Sequence, residues 1–244
     1  MDDLNIKVKE LPSKKSYDKP VKAFFATLTH GLNKAIRNWF KNPSLSIKEN
    51  LNLEIYCYGE ERFIDTAYKL TNNKILYLEF VSNYQEKCLN KTHINYAILR
   101  CHYDPCVFVG IVHDSKYLEV EKPEIHDSVM RFTPLHIFLA AIDYNRVLSN
   151  LQLRLNNGVT DIEHEILLSL CFNLQKKPRI QLDNIINIYT LIINKIPNDK
   201  VLQWLSLNSL YLKKDVGDLF DIFQRKGLNV PIELKTLYNQ SYLI

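Results

Sequence analysis

Two acidic residues stand out by the company they keep. Asp65 lies within Phe63-Ile-Asp-Thr-Ala-Tyr-Lys-Leu70, and Glu79 within Ile75-Leu-Tyr-Leu-Glu-Phe-Val-Ser82. Both stretches have the aromatic and branched content of β-strands, and each carries one carboxylate where an apolar residue would be ordinary. An isolated ionised carboxylate is costly to bury, so each needs a partner, and a metal ion is one candidate. Thr71-Asn-Asn-Lys74 reads as a polar turn that makes the two strands a hairpin. Register then decides the chemistry. A three-residue loop, Thr71-Asn72-Asn73, sets Leu70 opposite Lys74 and Asp65 opposite Glu79, on one face. A two-residue loop, Asn72-Asn73, sets Asp65 opposite Phe80 and sends the carboxylates to opposite faces. Three-residue loops with Asn in the left-handed conformation are a common hairpin solution, and the metal reading requires that loop or an equivalent bulge. The plain alternatives are an Asp65 pair with Lys69 or Lys74 on an exposed strand face, and an edge position for Glu79.

Other candidates carry less weight. Glu60 and Glu61 follow Gly59 in a connection, where they are either solvated or within reach of the metal. His113 reads as a turn residue. Cys101-His102 with Cys106 has two ligand types of a zinc site, but no second pair follows at zinc-site spacing. No G-x-x-x-x-G-K-[ST] or G-x-G-x-x-G run occurs, so no nucleotide cofactor is expected. No Ser-His-Asp arrangement stands above background.

The elements that must position the acids follow from periodicity. Residues Met1 to Pro20 are polar and Lys-rich and are expected to be poorly ordered. Val21, Phe24, Phe25, Leu28, Leu32, Ala35, Ile36, Trp39 and Phe40 recur at helical spacing up to Lys41, and Pro43 stops that helix. Leu51 to Tyr58 alternates weakly as a strand. Tyr84 to His102 reads as a helix with Leu89, Ile94, Ala97, Ile98 and Cys101 as its stripe, and Val107 to Val112 as a short apolar strand covered on both faces. Helix, three strands, helix, strand make an α/β core with a mixed sheet. Beyond Thr133 helices are expected at 134–148, 162–174, 182–196, 200–212, 216–226 and 231–242, with Asp161, Asp183, Asp199 and Asp215 at or beside their starts. Three segments result: a basic tail over 1–19, an α/β core over 20–132 and a helical region over 133–244.

Composition sets the frame. The chain has 244 residues, 46% of them apolar, enough for a sizeable core. Its formal charge of +4 is too small to identify a nucleic-acid binder. Lysines and arginines crowd the first third, as a solvated face or as a surface that tracks phosphates. Five cysteines without a regular framework suggest reduced thiols. The charged start shows no signal peptide, and no apolar run approaches the ~20 residues of a membrane span. A soluble cytoplasmic protein with no membrane partner is the expectation.

The order of elements, with Phe63-Ile-Asp65 and Leu76-Tyr-Leu-Glu79-Phe-Val-Ser82, resembles the PD-(D/E)XK nuclease superfamily, and within it the recombination-promoting nuclease and putative transposase group. Asp18-Lys19 with Phe24-Phe25 is similar to that group's first helix. Leu78-Glu79-Phe80-Val81-Ser82 matches its Leu-Glu-His-Gln-Ser ending at Leu, Glu and Ser. Tyr96 and Arg100 are similar to residues of its next helix, and Ile111-Val112-His113 to the end of its following strand. The resemblance spans roughly Pro20 to Asp114. It implies a restriction-endonuclease-like mixed-sheet core, an all-helical C-terminal region, and metal-dependent hydrolysis of DNA phosphodiesters. It implies Mg²⁺ or Mn²⁺ held by Asp65, Glu79 and the carbonyl of Phe80. A homodimer is compatible with it.

The resemblance also implies a Lys or Gln two residues after the Glu, where this chain has Val81, which neither donates a hydrogen bond nor takes a proton. Lys69, on the Asp65 face of its strand, and Gln85, Lys87 and Lys91, around the start of the next helix, are the nearby substitutes, with Gln85 preferred. The alternative is a catalytically inactive nuclease-fold protein that binds nucleic acid or protein.

Overall fold

The computed structural model describes residues 7–10, 20–51, 53–57, 60–64, 66–81, 84–103, 107–113, 120, 123–126, 131–174, 176–212 and 214–241; for 7–10, 53–57 and 60–63 it describes the backbone. In chain order the elements are β1 (Lys7–Glu10), α1 (Pro20–Thr27), α2 (Thr29–Trp39), β2 (Ile47–Leu51), β3 (Leu53–Cys57), β4 (Glu60–Phe63), β5 (Thr66–Leu70), β6 (Ile75–Val81), α3 (Glu86–His102), β7 (Val107–His113), β8 (Ile125–His126), β9 (Arg131–Phe132) and β10 (Leu135–Phe138). A 3₁₀ turn at Leu139–Ala141 leads to α4 (Tyr144–Asn156), α5 (Glu163–Asn173), α6 (Pro178–Ile192), α7 (Asn198–Leu212), α8 (Val216–Arg225) and α9 (Ile232–Ser241). The chain divides into two units, one of residues 1–18 with 32–141 and the other of 19–31 with 142–244. Among the described residues no helix is long and apolar enough to cross a membrane.

The first unit is built on a five-stranded mixed sheet in the order β10-β7-β6-β5-β2. β6 and β7 run parallel, as do β7 and β10, while β5 is antiparallel to both of its neighbours. The hairpin between β5 and β6 closes through Thr71-Asn72-Asn73. Leu70 N donates to Lys74 O at 2.8 Å, Asn73 N donates to Leu70 O at 2.9 Å, and Asn73 takes a φ of 62°. This is the three-residue loop, and the register follows from it: Lys69 opposite Ile75, Tyr68 opposite Leu76, Ala67 opposite Tyr77 and Thr66 opposite Leu78. The described ladder ends there, and Asp65 lies outside the described residues.

All seven residues of β6 are buried, which is why its sequence is a nearly continuous apolar run. Its odd-numbered side chains share a face with Val109 and Ile111 and pack with Leu89, Ile98 and Leu99 of α3. On the other face a Cβ at Gly110 would lie 2.9 Å from Leu78 and 3.5 Å from Phe40, and Phe40 and Phe108 meet edge to face. The end of α2 and its following turn therefore cover one side of the sheet and α3 the other.

Several sequence expectations are corrected. The basic tail was expected to be poorly ordered, yet Lys7–Glu10 forms β1 in a second, antiparallel sheet of order β1-β3-β4. The single strand expected at 51–58 is two, because the chain leaves the main sheet after Leu51 and joins the small one at Leu53. Glu60 and Glu61 are not in a connection but in β4, opposite Cys57 and Tyr56; the Gly59 between two strand-like runs is a hairpin signal. The helix expected from Val21 to Lys41 is two, α1 and α2, broken at Leu28, where the Thr29 hydroxyl donates back to Ala26 O at 3.3 Å. The helix expected at 134–148 begins only at Tyr144, capped by Asp143. Leu135–Phe138 is instead a strand beside β7, an outcome that a four-residue apolar run cannot reveal before its neighbour is known.

In the second unit α1 packs on α5 and α7, α4 on α5 and α6, and α6, α8 and α9 on α7. Phe24, Phe25, Ile185, Ile188, Leu205 and Phe223 are fully buried there. Pro178 opens α6 at its first turn, and Asp215 and Asp218 form a reciprocal capping box on α8. Asp183 lies inside α6 rather than at its start. Gly31 approaches α5 so closely that a Cβ there would stand 2.5 Å from Glu163 O, and its N–H donates to Glu163 Oε2 at 3.2 Å. A side chain at Gly31 must push the backbone of α5 away. Gly31→Ala is expected to destabilise the protein by about 2 kcal/mol in urea unfolding, and an unchanged midpoint would contradict this packing.

Candidate functional site

Glu79 occupies the fifth position of β6, in the strand at the centre of the sheet, and only 4% of its side chain is exposed. Tyr77 precedes it by two residues, so both side chains stand on the face covered by α3. From α3, Lys91 and Asn95 reach down one turn apart. Lys91 Nζ donates to Glu79 Oε1 at 2.6 Å, the Tyr77 hydroxyl donates to Glu79 Oε2, and Asn95 Nδ2 donates to the Tyr77 hydroxyl at 3.0 Å. Every donor in that chain points toward the carboxylate. Asn95 is wholly buried, and its Oδ1 has no hydrogen-bond partner among the described residues.

The structure separates the candidates named from sequence. Lys69 shares the face of Ile75 and Tyr77 but sits four residues back along the ladder from Glu79, about 13 Å at strand rise. It pairs with Glu49, directly opposite on β2, at 3.4 Å. Gln85 is exposed ahead of α3, with no side-chain capping bond. Lys87 is exposed. Of the three substitutes around the helix start, Lys91 is the one whose ammonium meets Glu79, because α3 turns positions 91 and 95 toward the sheet. Val81 explains why a cation is not supplied from β6 itself: it is buried in the apolar cluster with Leu89, Ile98 and Ile111. Phe80 is buried on the opposite face. Glu60 and Glu61 belong to the small sheet.

A second polar cluster joins the carboxyl end of β7 to the start of β10. His113 was read as a turn residue but is the last residue of β7, 1% exposed, opposite Val81 on β6 and Phe138 on β10. Its Nε2 lies 2.8 Å from His136 Nδ1, and His136 Nε2 lies 2.8 Å from Pro123 O. A carbonyl only accepts, so His136 carries its proton on Nε2, and its Nδ1 accepts a hydrogen bond from His113 Nε2–H when both rings are neutral. Phe138 stacks on His113 with centroids 4.5 Å apart, and Tyr84 leans on both imidazoles at 5.3 and 5.6 Å. Burial, with the neighbouring His136, holds His113 down to about 4, and burial lowers His136 as well, against the opposing pull of the Pro123 carbonyl. Burial, with Cys88 and Glu86, pushes Tyr84 up to about 12. His136, Tyr77 and Asn95 had not been singled out from sequence. The i, i+4 spacing of Lys91 and Asn95 and the i, i+2 spacing of Tyr77 and Glu79 were the available signals.

The other unit contains a cavity of about 230 Å³ walled by Leu28, Ile162, Ile166, Pro197 and Trp204, with Glu163 and Lys200 3.9 Å apart at its lining. Cys101, a residue of the faint zinc pattern, is exposed at the end of α3, and Cys106 lies outside the described residues.

Comparison of the sequence with protein families, with curated proteins and with solved structures finds no match. Among the described residues no group of three His, Cys, Asp or Glu side chains converges as a metal cluster. The groups that meet the Glu79 carboxylate are the Tyr77 hydroxyl and the Lys91 ammonium, so the carboxylate itself is the one described oxygen ligand of the type that a hard cation such as Mg²⁺ takes. A divalent ion there would require a second carboxylate, and Asp65 precedes Thr66 in sequence.

The histidine pair carries a pH signature. Both imidazoles bind protons less readily in the folded chain than at the ordinary value near 6.5. Their contribution to stability is therefore complete above about pH 6.5 and is lost as pH falls toward 4, because the unfolded chain takes up the protons first. Thermal unfolding between pH 7.5 and 4.5 is expected to show a steeper loss for the wild type than for His113→Phe; equal slopes would contradict it.

Proposed function

We propose that this chain is a divalent-metal-dependent phosphodiesterase of the PD-(D/E)XK kind, acting on DNA. The observation that carries the reading is Glu79: a carboxylate buried in the central strand, followed by a helix whose Lys91 stands 2.6 Å from it. The order β5, β6, α3, β7 supports it, being the strands, helix and strand that the resemblance implies, whereas Phe24-Phe25 of its first helix lie in α1 of the other unit and β3 and β4 intervene between β2 and β5. The three-residue hairpin loop supports it too, being the length that the metal reading required.

In this reading Glu79, Asp65 and the carbonyl of Phe80 hold the ion. When bound, Mg²⁺ or Mn²⁺ supplies positive charge to the scissile phosphate and acidity to water. Tyr77 fixes the Glu79 carboxylate through Oε2, and Asn95 fixes Tyr77. Lys91 takes the role for which Gln85 and Lys69 had been named, as the cation beside the acid that can hold a phosphate oxygen or orient a water. Phosphate contacts by lysines and arginines would make binding to DNA fall with salt.

A second reading, a nuclease-fold protein that binds without cleaving, is favoured by one observation: Val81 is packed in the apolar cluster and offers no polar group. A plasmid-nicking assay separates the two. With Mg²⁺ or Mn²⁺ the wild type is expected to nick supercoiled DNA, and Glu79→Gln or Asp65→Asn to lose at least about 100-fold in rate while keeping a cooperative melt. Salt-sensitive DNA binding without cleavage by the wild type would favour the second reading.

A further inference from the structure

We infer that the end of the first unit where α2, β2 and the β5–β6 hairpin meet is a docking face for a nucleic-acid backbone, held by Arg37, Lys41, Lys48 and Lys74. This goes beyond the cleavage reading, because nothing in it depends on a metal at Glu79 or on hydrolysis.

The turn after α2 builds the face. The helix closes with two backbone bonds, Asn42 N to Arg37 O at 3.0 Å and Lys41 N to Asn38 O at 3.3 Å, and Lys41 takes a φ of 50°. That is the Schellman arrangement, whose left-handed residue is ordinarily glycine or asparagine. Arg37 Nε donates to Leu45 O at 2.7 Å, which ties its guanidinium to the same turn. Ser46 O accepts from Thr71 N at 2.8 Å, so the turn lies along the hairpin loop. Lys48 follows as the bulged residue of β2, between Ile47 opposite Leu70 and Glu49 opposite Lys69, and it is exposed. Lys74 closes the hairpin, its Nζ 5.8 Å from the centre of the Phe108 ring that also packs edge to face with Phe40. The four cations thus surround one pair of loops on the side of the sheet that the end of α2 covers. Glu79 faces α3 on the other side, five residues beyond Lys74 in sequence, about 17 Å at strand rise.

Charge selects the partner. Between Leu32 and Leu51 four lysines and arginines stand against one carboxylate, Glu49, which pairs with Lys69 at 3.4 Å. Strands β5, β6, β7 and β10 add one more, Glu79, on the α3 face. Like charges gathered in this way repel one another and attract an anion that spans them. The dipole of α2 accounts for Arg37 and Lys41, since cations are favoured at a helix C-terminus, but it fades within the last turn and does not explain Lys48 or Lys74. Asn38, Thr71 and Asn72, exposed among the cations, are of the uncharged types that contact phosphate oxygens. A lipid surface would call for apolar side chains to insert, and the exposed large ones, such as Ile94 and Ile232, lie on other elements. A chain of regularly spaced phosphates is the partner that this arrangement fits.

The test uses the full chain in EDTA, so that its outcome is separate from the metal reading; either can fail while the other holds. Binding of a fluorescein-labelled DNA duplex of about 20 base pairs is followed by anisotropy between about 50 and 200 mM salt. Lys41→Gly and Lys48→Gln are each expected to weaken binding several-fold, and together about tenfold or more, with the slope of log K against log salt falling by about one per lost phosphate contact. Lys41→Gly also removes the left-handed lysine and is expected to melt no lower than the wild type, which separates lost binding from lost folding. Lys195→Gln, at an exposed position of the other unit, is the charge-matched control. An equal loss in Lys195→Gln, no salt-dependent DNA binding by the folded wild type, or binding to phosphatidylserine vesicles without binding to DNA overturns the inference. A second measurement needs no variant: wild-type lysines are acetylated briefly with and without the duplex and quantified by mass spectrometry. Lys41 and Lys48 are expected to be protected several-fold relative to Lys195; uniform protection, or none, overturns the inference.

Discussion

A carboxylate in the middle of a covered sheet imposes demands that an apolar residue would not. Glu79 lies in the strand with sheet neighbours on both sides and a helix above it, so water cannot supply its counter-charge. The protein supplies it from α3, and this fixes how α3 must lie. Positions 91 and 95 have to face β6, which leaves Leu89, Ile98 and Leu99 to fill the apolar remainder of the same interface. Tyr77 completes the arrangement from the strand itself, two residues before the acid. The interface between α3 and the sheet is thus part hydrocarbon and part ion pair. Such an ion pair is weak evidence for stability, since an apolar pair of similar volume would serve as well or better.

The sheet shows a division of labour along its strands. The rows toward the Ile75 end of β6 hold apolar residues on the α3 face, with Lys69 and Glu49 paired beside them on β5 and β2. The polar chemistry gathers toward the carboxyl ends of β6 and β7, with Glu79 and His113, joined from β10 by His136, its second residue. In open sheets with parallel strands that end is where crossover connections diverge and leave room for ligands. The two histidines are engaged with each other, with Pro123 and with Tyr84, and Tyr84 leads into α3. They anchor the entry of the helix that carries Lys91.

Much of this was legible in the letters. Asn72-Asn73 between two strand-like runs gave a loop whose length could be argued from left-handed tolerance, and the register followed. The 84–102 helix, the apolar β7 and five of the later helices followed from periodicity, with Asp215 marking the start of α8. What could not be read depended on partners distant in sequence. Leu135–Phe138 is a strand because β7 offers an open edge. Lys7–Glu10 forms a strand because β3 pairs with it. Lys91 rather than Gln85 meets Glu79 because of the rotational phase of α3, which a one-residue change in where the helix starts would alter by about 100°. The burial of His113 requires β10 beside β7, and the helix expected at 134–148 had hidden that strand.

The most direct test of the account is crystallographic. Crystals grown with Mn²⁺ and measured at the manganese absorption edge would show where the ion goes. The account predicts an anomalous peak about 2 Å from the Glu79 carboxylate, shared with Asp65. Data of good quality with no peak at Glu79 would contradict it.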